Sequence, residues 1–75
     1  MIKELQSVVL VQDLPEYGLE KGDVGVVVLV HGDAGYEVEF ATLEGVTVAV
    51  ATVSADKIRA VTQGEIAHAR LVASS

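Results

Sequence analysis

A chain of 75 residues is one domain, near the lower size at which a sequence buries enough surface to fold alone. The absence of cysteine excludes disulfides and thiolate metal sites, so stability has to come from apolar packing. A net charge of −6, from 11 acidic and five basic residues, opposes binding to phosphate backbones and favours a basic partner over an acidic one. Valine dominates the apolar set with 15 residues, whereas Tyr17, Tyr36 and Phe40 are the three aromatics. Stiff β-branched side chains suit a pleated surface, which points to strands.

The stretch "SVVLVQD" (7–13) reads as a first strand, apolar throughout and closed by polar residues. Pro15 cannot donate to a ladder, so residues 14–22 form a loop in which Gly18 and Gly22 can take positive φ. "DVGVVVLVHG" (23–32) is a second strand, apolar at both odd and even positions, and it is therefore expected to be covered on both sides. Gly25 within it marks a bulge or a sharp bend. "GDAG" (32–35) is a tight turn, and "YEVEF" (36–40) alternates cleanly, with Tyr36, Val38 and Phe40 inward and Glu37 and Glu39 outward. "TLEG" (42–45) makes a second hairpin turn into "VTVAVATV" (46–53). Ser54 and Asp56 suit the start of a single helical turn, which leads to a short last strand, Ile58 to Val61.

This order is an all-β reading: a small five-stranded SH3-like barrel over 1–61, with one helical turn before the last strand. Residues 62–75 form a separate C-terminal tail. Thr62 and Glu65 have capping-box spacing, so a short helix over 63–73 is one expectation. Gly64 and the short length make such a helix marginal on its own, so the segment either docks Ile66, Leu71 and Val72 or stays mobile.

The string D-L-P-E-x-G-L-x-x-G-D-x-G-x-V-V from Asp13, then Y-E-V-E-F, then G-x-T-x-A-V-x-T resembles the bacterial family known as domain of unknown function 4926. The pattern spans 13–53, the strand at 58–61 closes it, and the tail from Thr62 lies outside it. The resemblance implies a small SH3-like barrel with no assigned activity. It also implies a small partner of neighbouring gene products, antitoxin-like or an accessory subunit. "KGDVGVVV" is similar in shape to the strand-opening turn of nitrile hydratase β-type barrels and of KOW ribosomal domains, and shape alone assigns no function.

Candidate sites are few. His31 and His68 lack partners at metal-ligand spacing, so no metal or cofactor is expected. Asp13, Glu16, Glu20 and Asp23 crowd the first loop around Lys21, as an acidic mouth for a basic partner or as a solvated loop. The spacing is wrong for a calcium loop. Glu37 and Glu39 lie side by side on one strand, with no cleft for paired-carboxylate chemistry. Tyr17 is too isolated an aromatic for a proline-peptide groove and is read as packing the loop onto the barrel. Lys21, Lys57 and Arg59 are too few for KOW-like RNA binding, which stands as the alternative function.

The apolar surplus is more telling. Val9, Val11, Val27, Leu29, Ala49 and Ala51 lie opposite the positions assigned to the core, which would leave a patch of a few hundred Å² exposed, or covered by strand curvature. The expected function is thus a non-enzymatic protein–protein interaction module, self-associating or binding a partner protein. Its candidate partner-binding edge is Asp13, Glu16, Tyr17, Glu20 and Asp23. The short apolar runs contain neither a signal peptide nor the roughly 20-residue span of a membrane helix, so a soluble cytoplasmic protein without nucleic-acid, membrane or small-molecule partners is expected.

Overall fold

A computed structural model describes residues 2–33 and 35–72. Five strands form one antiparallel sheet: β1 (Ser7–Leu10), β2 (Val24–Val30), β3 (Tyr36–Ala41), β4 (Thr47–Val53) and β5 (Ile58–Ala60). Their spatial order is β4-β3-β2-β1-β5, compatible with the expected SH3-like arrangement. The ladder ends at β4 on one side and β5 on the other, so it leaves two edges where full hydrogen-bonded closure would leave none. One core nevertheless unites all five strands: Val8 and Leu10, Val27, Val38 and Phe40, Ala51 and Val53, and Ile58. The curl of the sheet brings both ends of the ladder to that core.

The expected strands are present; β1, β2, β4 and β5 are shortened at one end or both, and β3 runs one residue further, to Ala41. β1 stops at Leu10 rather than Asp13, and the first loop begins there. Within that loop Pro15–Tyr17 form a 3-10 turn. Leu14 and Leu19 flank the turn, pair through reciprocal backbone hydrogen bonds of 2.9 and 3.1 Å, and close the bottom of the core. The loop is therefore anchored by two buried leucines, which the sequence reading placed in no core. The helical turn before β5 is Ala55–Lys57, as expected, but the Ser54 hydroxyl engages the Asp56 carboxylate instead of a backbone amide.

Two expectations about β2 are corrected. Its faces are unequal: Gly25 and Val27 are buried, whereas Val24, Val26 and Val28 are not. Likewise Val27, Val9 and Ala51 are buried rather than surplus, whereas Leu29 of the same set is exposed. Inward and outward are exchanged on β2 as far as Val28, while on β1 Val8 and Leu10 stay in the core beside Val9. The irregularity falls at Val28, where pairing shifts from Val27↔Val38 to Leu29↔Glu37. An extra residue there reverses the phase, so that Val30 turns back to the core beside Tyr36. Gly25 serves packing instead. A Cβ at that position would lie 2.6 Å from Val38 Cγ1 and 2.9 Å from Phe40 Cε1. Its bare backbone lets β3 side chains close over β2. Gly35 is required for a different reason: its φ is +136°, and the Val53 carbonyl oxygen would lie 2.6 Å from any Cβ.

Candidate functional site

The first loop is where acidic side chains, a tight backbone and the tail meet. Leu10 and the following loop are tied by backbone bonds from the Leu10 amide to the Asp23 carbonyl and from the Gly22 amide to the Leu10 carbonyl, both 2.9 Å. Asp13 Oδ1 accepts the Lys21 amide at 2.8 Å. Asp23 is held twice: its amide donates to the Glu20 carbonyl at 3.0 Å, and its Oδ2 accepts the Glu20 amide at 2.9 Å. The orientation of the Asp23 carboxylate is thus set by the loop itself.

Onto that carboxylate the tail places Arg70. Nε donates to Oδ1 at 2.8 Å and Nη2 to Oδ2 at 2.6 Å, a bidentate fork. Nη2 also lies 3.3 Å from the Gly18 carbonyl oxygen, and the Glu20 carboxylate is 3.6 Å from Nη1. The Asp23 side chain is 16% exposed. Burial raises its pKa, but the hydrogen bonds from Arg70 and the Glu20 amide outweigh that, so the carboxyl sits below its ordinary value. Among the five residues expected at a partner-binding edge, Asp23 and Glu20 meet Arg70, Asp13 is turned to the loop backbone, and Glu16 is exposed. Tyr17 packs only partly, remaining 38% exposed.

The tail forms neither the helix expected over 63–72 nor any strand, and residue 73 of that expectation lies outside the described residues. Only half of the Thr62–Glu65 box forms. The Thr62 amide donates to Glu65 Oε2 at 2.7 Å, but the Thr62 hydroxyl donates to the same carboxylate at 3.0 Å instead of meeting the Glu65 amide. Gly64 at φ +83° turns the chain away from a helical path. Arg59 on β5 then grips Glu65 through two bonds of 2.8 and 2.7 Å. Hydrogen bonds from Arg59 and from the Thr62 amide and hydroxyl hold the Glu65 pKa down to about 2. Two ion pairs therefore carry the tail across the outer face. Of the three residues that docking would bury, Ile66 and Leu71 are each 95% exposed and Val72 is 41% exposed.

The rest of the outer face is apolar. Val24 (49%), Val26 (37%) and Val28 (40%) of β2 and Val50 (49%) of β4 are all exposed. Pairing aligns Val26, Glu39 and Val50 in one row across three strands. Glu39 accepts from the Thr47 hydroxyl at 2.6 Å, and Glu37 lies 2.6 Å from His31 Nε2. These carboxylates are surface groups engaged by neighbours, as their alternation implied. Two hollows accompany the tail, both open: one of about 220 Å³ beside Glu20, Asp23 and Arg70, the other of about 310 Å³ against Val9, Val24 and Val61. Among the described residues no polar or charged side chain is buried, no group of acids and histidines could hold a metal, and no helix is long and apolar enough to cross a membrane.

These features define a small all-β domain: one curled antiparallel sheet whose chemistry is confined to its surface. The chain belongs to the family described as Domain of unknown function (DUF4926), whose family model matches residues 4–60. That span includes all five strands and the whole acidic loop, and it excludes the tail. No curated protein and no solved structure matches the chain.

Arg70 and the outward valines escaped the sequence reading. Arg70 lies 47 residues from Asp23, and no local spacing links them. For the valines the signal was present, in the continuous apolar run of β2, but the run alone does not say which face is bare.

Proposed function

We propose that the protein is a non-enzymatic interaction module that presents the outer face of β2, β3 and β4 to a partner protein whose contact surface is apolar and edged with basic residues. The carrying observation is the exposed strip of Val24, Val26, Val28 and Val50 around Glu37 and Glu39. A sheet with one solvated face ordinarily places polar residues outward, and here three outward positions of β2 are valine. Exposed contiguous apolar surface of this kind is typical of association sites. The carboxylates set into it, and a chain charge of −6, disfavour a second copy and favour a basic partner. A small accessory subunit or an antitoxin-like protein works in this way, by covering another chain. Two of the five basic side chains, Arg59 and Arg70, are engaged by carboxylates of the same chain, which argues against RNA as the ligand.

The test uses a photo-crosslinking residue at Val26 in the native host, followed by purification of the captured protein and titration with it. We expect Val26→Asp and Val50→Asp each to weaken binding at least tenfold while the circular-dichroism spectrum stays unchanged. Unaltered affinity in both variants overturns the proposal, as does light scattering that shows a homodimer dissociated by either variant.

A further inference from the structure

We infer that the first loop is a guanidinium seat, built to take an arginine from an extended segment of a partner protein and occupied in this structure by the chain's own Arg70. The acceptors of the seat all lie in the first loop and in Asp23, and the seat adjoins the valine strip only at Val24. Three kinds of acceptor converge on one guanidinium: both oxygens of Asp23, the Gly18 carbonyl and, at longer range, the Glu20 carboxylate. Planar bidentate recognition of that kind selects arginine over lysine, whose ammonium offers a single point of charge.

The seat is organised without the tail. The Asp23 carboxylate is oriented by the Glu20 amide, Gly22 is tied to Leu10, and Leu14 and Leu19 pin the loop to the core. All acceptors lie within the residues that the family model matches, 4–60, whereas the donor lies outside them. The tail is also weakly committed to its place. Its described residues, 62–72, have no regular structure, and its large apolar side chains Ile66 and Leu71 face solvent. A tethered arginine of this sort acts at an effective concentration on the order of mM. It therefore serves as a cis competitor that sets a threshold, and a partner arginine displaces it by adding contacts that the tail does not make. Val24, exposed directly beside Asp23, is the nearest apolar surface for such contacts.

The experiment uses the full chain with Arg70→Ala, isotope-labelled, titrated with a synthetic peptide of residues 66–72 and followed at the amides of Gly18, Glu20 and Asp23. We expect saturable shifts at these amides. Binding should be at least tenfold weaker when the peptide's arginine is replaced by alanine, and several-fold weaker when it is replaced by lysine. The native chain should bind the same peptide at least fivefold more weakly than Arg70→Ala, because its own arginine competes. The double variant Glu20→Gln with Arg70→Ala retains the Asp23 geometry and should show intermediate affinity. The inference fails if the arginine peptide leaves these amides unmoved, if lysine serves equally well, or if the native chain and Arg70→Ala bind alike. A tail-exchanged dimer of the native chain in light scattering also overturns it, because the occupant would then be a second copy.

Discussion

The core and the tail of this molecule are held by opposite means. Val8, Leu10, Val27 and Val38 are almost completely shielded and contribute through area removed from water and close packing. The tail is held by two forks, Arg59 with Glu65 on the exposed surface and Arg70 with the part-buried Asp23. Exposed ion pairs are screened by water and salt and add little to stability. The contrast predicts a permanent part of the chain that stays folded and a removable part that charge can release.

The sharpest way to break the permanent part is Leu10→Ala. Leu10 is 1% exposed and joins β1 to the loop leucines, so its truncation is expected to cost about 2–5 kcal/mol in urea unfolding. Gly25→Ala comes next. The added methyl meets Val38, the Glu39 carbonyl and Phe40 at 2.6–2.9 Å, two of them in the interior of the core and one on the backbone. Overpacking of this kind is expected to destabilise by about 1–3 kcal/mol, measured by the same unfolding curves. Should Gly25→Ala prove neutral, the close approach of β3 over β2 would not be a constraint on the fold. Neither change should alter the Arg70–Asp23 fork in the fraction of molecules that remain folded.

The same contrast decides what could be read without coordinates. The permanent part was legible because its rules are local: the alternation of Tyr36 to Phe40, the turns that begin at Gly32 and after Thr42, and the proline turn within the first loop all act over a few residues. The inner and outer faces of β2 were not, because a run of valines carries no phase. One extra residue at Val28 exchanges the faces within the strand. The acidic loop was read either as a mouth for a basic partner or as a solvated loop, and neither reading included a residue of the same chain. The charge it holds comes from residue 70, joined to Asp23 by folding alone. The capping box read at Thr62 formed only on its carboxylate side and began no helix, since Gly64 and the pull of Arg59 on Glu65 take the chain elsewhere.

The smallest expected change in overall stability, and the most direct probe of the removable part, is acidification. Glu65 is lowered to about 2 from an ordinary value of 4.5, and Asp23 is lowered from 3.8. A carboxylate whose folded-state pKa is depressed stabilises the folded arrangement fully above its ordinary pKa. That contribution fades as pH falls through the window between the ordinary and the depressed values. The Glu65–Arg59 clasp is therefore intact at pH 6, begins to weaken below about pH 4.5 and is lost towards pH 2. The Asp23–Arg70 clasp weakens in turn as pH falls below the ordinary Asp23 value of 3.8. Amide resonances of residues 65–72 should move towards unstructured positions in this window while those of β1 to β4 keep their dispersion. Arg70→Ala should produce the same displacement near residue 70 already at pH 6, with a loss of global stability below about 1 kcal/mol. If strand and tail resonances instead collapse together at one pH, the tail is an integral part of the cooperative fold and the division into two parts is wrong.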